Sequence, residues 1–177
     1  MKRVAGWLAG LAAAFLCQVA LSRWAPAASG RLDLLLIVVV YYGSSGAQIA
    51  AMLAGASAGL LQDFWFGALM GRNGFQKVLT GYLVGAVGSR FALESPLTRA
   101  LCLAMAVAVD HLAGLGLGFL LGVPVAEPIS WLLAQKMAAT AAAGWVVFAL
   151  ERRMRRGRER RASLRWHRTA RGLRAVR

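Results

Sequence analysis

The sequence predicts an all-α integral membrane protein, built as a compact bundle of six transmembrane helices. Hydrophobic residues make up 59% of the 177 residues, against roughly 45–50% apolar residues in a typical globular domain. Six apolar runs are separated by glycine, proline and charged residues. Basic residues are concentrated late in the chain, where 12 arginines follow position 150. Too few polar residues remain to encode a water-soluble domain of ordinary size.

The first apolar run extends from Val4 to about Leu21, directly after Lys2 and Arg3. A bilayer core is about 30 Å thick and a helix rises about 1.5 Å per residue, so a span needs ~20 mostly apolar residues. A cleavable secretory signal is the alternative, because Ala25-Pro26-Ala27 imitates a small-residue cleavage site. The run is longer than the ~7–15 residues of a signal core, which favours a retained helix.

The second and third runs are Leu34 to Gly43 and Ala47 to Leu61. Between them lies Gly43-Ser44-Ser45-Gly46, and a glycine-serine cluster between apolar runs is a turn signal. The sequence therefore predicts a short helix, a tight turn and a second helix.

Three further runs complete the bundle, Phe75 to Ala92, Ala100 to Leu121 and Ile129 to Leu150. The segments before and between them contain the glycines and prolines that commonly end helices; they are Gly71–Gly74, Glu94–Pro96 and Gly122–Pro128. Glycines also recur four residues apart, which lets helix backbones pack closely in lipid. Internal packing is the expected use of these pairs, with a partner-docking face as the alternative for one or two of them; the pairs are Gly6/Gly10, Gly55/Gly59, Gly81/Gly85 and Gly118/Gly122.

Charge sets the predicted orientation, because short loops rich in Lys and Arg stay in the cytoplasm. An even number of spans places both termini on one side. With both termini cytoplasmic, that side carries 16 basic residues and the opposite side carries three, Arg23, Arg31 and Arg72. Residues 1–150 then form the transmembrane domain, and residues 151–177 form a cytoplasmic arginine-rich tail.

The tail holds 12 arginines opposed only by Glu151 and Glu159. A basic side chain held near an anionic membrane surface contributes about 1 kcal/mol. The arginines that directly follow the last apolar run are therefore expected to contact anionic lipid; they are Arg152, Arg153, Arg155 and Arg156. Because the high charge belongs to this appendage, no nucleic-acid-binding domain is predicted.

Four ionisable side chains lie within or at the ends of apolar runs, Asp63, Lys77, Asp110 and Lys136. A charge inside a span costs about 2.5–3.5 kcal/mol on insertion scales, so each needs a partner or a water-filled site. Similar depth pairs Asp63 with Lys77 near the outer face, and Asp110 with Lys136 deeper in the membrane. Two interpretations stay open: salt bridges that fix helix packing, which are favoured, and a relay or ligand site.

The Gly43–Gly46 turn and the helix around His111 resemble the serine and histidine motifs of rhomboid intramembrane proteases. A serine nucleophile needs its base within hydrogen-bond reach, whereas the turn is predicted at the cytoplasmic face and His111 in mid-membrane. The sequence contains no HExxH zinc motif and no GxxxxGK[ST] phosphate loop. Cys17 and Cys102 have no Cys or His partner at metal-ligand spacing. We therefore expect a protein that is not an enzyme and has no cofactor or metal.

Residues 55–73 read Gly-Ala-Ser-Ala-Gly-Leu-Leu-Gln-Asp-Phe-Trp-Phe-Gly-Ala-Leu-Met-Gly-Arg-Asn, and the chain continues through Lys77-Val-Leu-Thr-Gly81-Tyr82-Leu-Val-Gly85. This order of a glycine-spaced helix, Gly-Leu-Leu-x-Asp, a glycine turn and a Gly-Tyr-Leu helix resembles the central signature of the rod shape-determining membrane protein MreD family. Arg31-Leu32-Asp33 before the second run and Asp110 in the fifth match further family positions. The resemblance covers essentially residues 1–155.

The resemblance implies a non-enzymatic subunit of the bacterial elongation (rod) complex in the inner membrane, which maintains cell shape and supports sidewall peptidoglycan synthesis. The partners that it implies are the single-span protein MreC, MreB filaments, and RodA with its class-B penicillin-binding partner. The family's six-helix fold resembles the substrate-binding subunit of energy-coupling-factor transporters. A small-solute-binding subunit of such a transporter is therefore the alternative function.

The spans and the resemblance together single out candidates for structural or partner contacts. We expect Asp63 to hold a glycine turn at the outer face, either by accepting hydrogen bonds from loop N–H groups or by pairing with Lys77, because lipid satisfies no backbone polar group. The full set of candidates is Asp33, Gly55, Gly59, Asp63, Gly67, Gly71, Asn73, Lys77, Gly81, Tyr82, Asp110 and Lys136.

Overall fold

The computed structural model describes residues 2–67, 70–91, 93, 95–122 and 131–174, with side chains for all of these except residues 2–5, 7 and 155–174. No strand is present among the described residues. Some predicted boundaries lie outside the described residues. They are the end of the fourth apolar run at Ala92, the start of the sixth at Ile129, and, within the predicted breaks, Glu94 and residues 123–128. The helices are α1 (Lys2–Trp24), α2 (Pro26–Ser29), α3 (Leu34–Gly43), α4 (Gln48–Phe66), α5 (Arg72–Arg90), α6 (Pro96–Leu121) and α7 (Trp131–Arg174).

The six predicted runs correspond to six helices, α1 and α3 to α7, so the all-α prediction is confirmed for the described part of the chain. The single turn α2, which begins at Pro26, was not predicted. The last helix continues unbroken to Arg174, past the predicted end of its apolar run at Leu150. The boundary at position 150 is thus a change of composition within one helix.

Four stretches of the described residues are long and apolar enough to cross a membrane, as expected of a membrane protein. The apolar part of α1 is shorter, Leu8–Trp24. Helix α5 is not among the four, because its first two turns carry Arg72, Asn73, Gln76 and Lys77. The four stretches are Pro26–Gly43, Gln48–Phe66, Pro96–Leu121 and Trp131–Met154.

Helix α3 forms the centre of the bundle and packs against α1, α4, α5, α6 and α7. Its residues Leu35, Leu36, Val39 and Val40 are fully buried. A helix that is apolar on all sides suits a position surrounded by other helices or by lipid. Its β-branched residues lower intrinsic helix propensity, so tertiary packing on every side is what stabilises this short helix.

Helices α4 and α5 form a tightly packed hairpin because glycines lie where the two backbones meet. A Cβ atom at Gly55 would collide with the Lys77 carbonyl oxygen, and one at Gly59 would collide with that of Asn73. A Cβ at Gly81 would lie only 2.5 Å from the Ala51 carbonyl oxygen. Glycine lets helices approach this closely in lipid, where dispersion and weak polar contacts drive association. The predicted pairs Gly55/Gly59 and Gly81/Gly85 therefore serve internal packing.

Candidate functional site

Asp63, buried near the end of α4, caps the amino end of α5. Its carboxylate accepts hydrogen bonds from the backbone N–H groups of Gly71 at 2.9 Å, Asn73 at 3.1 Å and Gly74 at 3.2 Å, and from Asn73 Nδ2 at 2.8 Å. The first N–H groups of a helix have no partner within the helix, and negative charge is favourable at that end. One carboxylate thus satisfies three backbone donors at the α4–α5 turn.

Two glycines give this turn its shape. Gly67 ends α4 with φ of 63° and Gly71 precedes α5 with φ of 93°. Both angles lie in the left-handed region, which glycine adopts without the steric cost that a Cβ imposes. The two glycines thereby bring Asp63 back over the start of α5, as the predicted glycine turn requires.

A cluster of three charged side chains, Asp33, Lys77 and Asp110, lies in the interior and joins α3, α5 and α6. Lys77 Nζ lies 2.5 Å from Asp33 Oδ2 and 3.7 Å from Asp110 Oδ1. The residues are only 1% (Lys77), 3% (Asp33) and 4% (Asp110) exposed. Asp33 is also the N-cap of α3, because its Oδ1 accepts a hydrogen bond from Leu36 N at 3.0 Å. One lysine therefore ties three helices together.

The segment that precedes α3 is held from both sides by polar side chains of α1 and α7. Thr140 Oγ1 on α7 accepts a hydrogen bond from Asp33 N and donates one to Arg31 O, both at 3.3 Å. Gln18 on α1 accepts from Leu34 N and donates to Leu32 O, both at 3.0 Å. These contacts satisfy backbone groups of a non-helical segment, which buried backbone in a membrane protein requires.

The structure contradicts both expected pairings of intramembrane charges. Asp63 does not pair with Lys77, because its oxygens bind the amide groups at the start of α5 while Lys77 binds Asp33 and Asp110. Among the described residues, Lys136 has no carboxylate oxygen within 4.0 Å. Similar depth was the basis of both pairings, and depth does not determine which helix faces meet.

A second polar cluster lies toward the other end of α3 and connects it with α6 and α7. Glu151 Oε1 accepts a hydrogen bond from the Tyr41 hydroxyl at 3.1 Å, and its Oε2 lies 3.3 Å from Arg99 Nη1. Arg99 also donates to Leu93 O at 2.8 Å and lies over the Phe148 ring. Arg99, in the first turn of α6, and Glu151, in the interior of α7, therefore join these helices near the residue where the apolar part of α7 ends.

A lateral groove lies between α1 and α7, with α3 as its floor. Among the described residues these two helices do not pack against each other, which leaves a cavity of about 1050 Å³. We call this the α1–α7 groove. Its lining residues are Gly6, Gly10, Ala13, Ala14 and Cys17 of α1; Leu34, Ile37, Val38, Tyr41 and Tyr42 of α3; and Ser44, Ser45, Arg99, Val147 and Phe148.

The remaining candidates lie at the surface or outside the described side chains. Tyr82 is about half exposed on α5, and Lys136 is partly buried. Arg152 and Arg153 are exposed on α7, whereas the side chains of Arg155 and Arg156 lie outside those described.

The geometry does not assemble the protease motif considered from sequence. Ser44 and Ser45 donate hydrogen bonds to the carbonyl oxygens of Tyr41 and Tyr42, at 2.8 and 2.7 Å. They thus satisfy carbonyl groups at the end of α3, and no serine–histidine hydrogen bond joins them to His111 within the part of the chain that is described. The described residues likewise contain no group of three or more His, Cys, Asp or Glu side chains that could hold a metal ion.

Comparison with known families identifies the chain at the level of its family. The family described as rod shape-determining protein MreD matches residues 1–131, about three quarters of the sequence. The chain belongs to the MreD family. No curated protein and no solved structure matches it. The expected likeness to transporter substrate-binding subunits therefore stays a prediction.

Membership of the MreD family makes this chain a membrane protein and indicates a role in rod shape determination. The matched residues include the Asp63 turn and the whole Asp33–Lys77–Asp110 cluster. Lys136, Glu151 and the arginine-rich part of α7 lie beyond the match.

Sequence reasoning missed several residues that shape this MreD-family chain. Gln18, Thr140 and the Arg99–Glu151 pair were not singled out. For Gln18 and Thr140 a usable signal exists, because each is a polar side chain within an apolar run and such side chains commonly bond across helices in membranes. Arg99 and Glu151 were counted only as loop and tail charges, and their pairing needs the three-dimensional arrangement of α6 and α7.

Proposed function

We propose that this chain is a non-enzymatic, six-span subunit of the bacterial elongation complex in the inner membrane, with both termini in the cytoplasm. It binds the single-span protein MreC and, with MreB filaments, RodA and its penicillin-binding partner, supports sidewall peptidoglycan synthesis and cell shape. Family membership supports the setting. The observation that carries the binding role is the α1–α7 groove.

The groove has the size of a transmembrane helix. From Gly6 to Cys17 it follows 12 residues of α1, and the first and last of these lie about 16 Å apart along the helix at 1.5 Å per residue. A helix about 10 Å across occupies about 1300 Å³ over that length, and the groove offers about 1050 Å³. One apolar helix, such as the single span of MreC, would fill this space and cover α3.

The α1 side of the groove has unpartnered small residues. A Cβ atom at Gly6 or Gly10 would meet no atom within 4 Å, in contrast to the packed glycines of α4 and α5. Small residues at such spacing allow close approach of a second helix in lipid. Tyr42 and Arg99 line the same groove. A partner helix would therefore meet polar groups at the end of the groove where these residues lie and an apolar wall along the rest of it.

The orientation rests on the charge distribution. The Asp63 turn lies at the α4–α5 connection, where Arg72 is the one basic residue of the predicted loop Gly71–Gly74. Arg90, Arg99 and the arginines after Glu151 lie at the opposite ends of α5, α6 and the apolar part of α7. The positive-inside tendency then favours a cytoplasmic position for the second group. Arg152, Arg153, Arg155 and Arg156 would contact anionic lipid there.

The test compares Gly10→Leu with the matched variant Gly116→Leu. Both glycines are exposed in a helix and neither has an atom within 4 Å of an added Cβ, but Gly116 lies on α6 outside the groove. We expect Gly10→Leu to lower the MreC that co-purifies with the full chain in mild detergent at least tenfold. Gly116→Leu should keep it, and both variants should accumulate normally.

The outcomes separate the binding role from its location. Absence of MreC from the wild-type complex would refute the proposed function. Retention of MreC by Gly10→Leu would refute the groove as the binding site. As a second readout, Cys17 lines the groove and, with a thiol oxidant added, should form a disulfide with a cysteine placed at the matching depth on one face of the MreC helix. Cys102, which lies outside the groove, should form none.

A further inference from the structure

A narrow apolar crevice separates α5 from α6. On α5 it is lined by Thr80, Leu83, Val84 and Val87, and on α6 by residues at helical spacing from Thr98 to Val109. These positions form one face of each helix, because residues three and four apart lie side by side on a helix surface. The cavity between the two faces is about 410 Å³.

The crevice exists because the two helices touch at one end and separate at the other. Toward the start of α5, Gln76 packs against Gly114, where an added Cβ would lie 2.9 Å from Gln76 Nε2. Farther along α5 from this contact, Val84 and Ala106 are buried at the base of the crevice. Leu101 and Met105 lie on its rim and are 61% and 65% exposed. The opening is therefore a wedge with an apolar base and an apolar rim.

Its dimensions fit one alkyl chain and not a helix. From Thr98 to Val109 the crevice follows 12 residues of α6. The first and last of these lie about 16 Å apart at 1.5 Å per residue, which is close to half of a bilayer core of about 30 Å. Nonbonded carbons approach to about 3.5–4.0 Å, so an alkyl chain of that length fills about 250–300 Å³. A helix about 10 Å across would need about 1300 Å³.

Basic side chains lie at the end of the crevice where Thr98 is found. Arg90 is exposed in the last turn of α5, three residues beyond Val87 and therefore on the same face. Arg99 donates a hydrogen bond to the carbonyl oxygen of Leu93, which itself lines the crevice. Glu151 already pairs with Arg99, so Arg90 is the residue that we assign to an additional anion.

We propose that the α5–α6 crevice holds one acyl chain of an anionic phospholipid, with its phosphate at Arg90. Basic pockets between transmembrane helices on the cytoplasmic side are known to bind anionic headgroups. The orientation proposed above assigns this lipid to the inner leaflet. The inference does not depend on MreC, because the crevice and the α1–α7 groove share no lining residue.

The two native cysteines provide a matched pair of variants, since Cys102 lines the crevice and Cys17 lines the groove. The full chain is placed in phosphatidylcholine nanodiscs with a trace of phosphatidylglycerol or phosphatidylcholine that carries a photoactivatable acyl chain. After illumination, mass spectrometry locates the attached lipid. In the wild type we expect labelling on α5 and α6 at the crevice, at least fivefold stronger with phosphatidylglycerol.

Cys102→Phe should lower this labelling at least fivefold by filling the crevice, whereas Cys17→Phe should leave it unchanged. Arg90→Gln should bring the ratio of phosphatidylglycerol to phosphatidylcholine labelling close to one. Equal labelling of all exposed helix faces, an equal effect of the two cysteine variants, or an unchanged ratio in Arg90→Gln would overturn the proposal.

A measurement on the unmodified chain keeps the test valid if Cys102→Phe does not fold. Added phosphatidylglycerol should slow alkylation of Cys102 by an apolar maleimide at least threefold in the delipidated protein. Cys17, which is exposed in the groove, should react at the same rate with and without the lipid. An unchanged rate at Cys102 would overturn the proposal.

Discussion

Replacing Lys77 by methionine tests the interior charge cluster most directly. Methionine keeps an unbranched side chain but removes the ammonium group that lies beside Asp33 and Asp110. Removal of one partner from a buried ion pair costs about 3–5 kcal/mol. Because two buried carboxylates are left without their cation, we expect the upper part of that range. Natural domains unfold with only about 5–15 kcal/mol, so Lys77→Met should lose at least about a third of its free energy of unfolding.

The same geometry predicts a rescue. In a chain that combines Lys77→Met with Asp33→Asn and Asp110→Asn, no buried charge lacks its counter-ion, and replacing a complete buried ion pair by neutral groups is often nearly neutral for stability. Asparagine is also about as good an N-cap as aspartate, so the hydrogen bond to Leu36 N can remain. We expect the triple variant to recover most of the lost stability.

The assay heats the full chain in mild detergent and measures the fraction of protein that stays monodisperse as the temperature rises. Lys136→Met is the control, since it removes another intramembrane lysine that has no carboxylate within 4.0 Å among the described residues. It should cost less than a third of the effect of Lys77→Met. An equal loss in the two single variants, or no recovery in the triple variant, would refute the assigned role of Lys77.

Four further predictions concern the turn, the helix hairpin, the orientation and the tail. Asp63→Ala should destabilise the protein by about 3 kcal/mol in the same assay, because each buried donor left unsatisfied costs about 1–3 kcal/mol. Asp63→Asn should lose less stability. Equal losses would contradict the geometry in which one carboxylate accepts hydrogen bonds from three backbone N–H groups. Gly59→Val should abolish accumulation of folded protein, measured by detergent extraction, because its Cβ would collide with the α5 backbone; normal accumulation would disprove that contact. A reporter that is active only in the periplasm should stay silent when fused after Arg177. Reporter activity would contradict the cytoplasmic position of the C-terminus. A peptide of residues 151–177 should bind anionic vesicles and lose binding as salt rises, because surface charges are screened beyond ~8 Å at physiological ionic strength; equal binding to neutral vesicles would remove the electrostatic explanation.

The helices and the glycine turn could be predicted because their signals are local. Apolar runs, helix breakers and Gly67 and Gly71 specify where the chain is helical and where it reverses. Asp33 was found only as part of a family motif. Its N-cap role has a local signal, an aspartate directly before an apolar run, whereas its ion pair depends on where α5 brings Lys77. The predicted charge pairings were wrong because the sequence specifies how far each residue lies along its helix but does not specify which helix faces meet.

The centre of the bundle was harder to recognise from sequence than its periphery. Residues 34–43 form the shortest of the six apolar runs and are rich in β-branched side chains, so local propensity favours a helix only weakly. The structure places this run in contact with five other helices. Its uniformly apolar composition did not reveal that position, because a span that faces lipid can also be apolar on every side.

The same glycine spacing has two different outcomes in this molecule, and the difference distinguishes a packed helix face from an open one. Gly55 and Gly59 are pressed against the α5 backbone, whereas Gly6 and Gly10 have the same four-residue spacing and open space in front of them. Close packing within the α4–α5 hairpin is therefore complete in the isolated chain, and the corresponding face of α1 is incomplete. Because apolar side chains gain little from leaving lipid, a small-residue face contributes stability only when another backbone lies against it. The unpartnered face of α1 thus directs the search for a partner to the α1–α7 groove, while the packed glycines of α4 and α5 maintain the frame that holds α3.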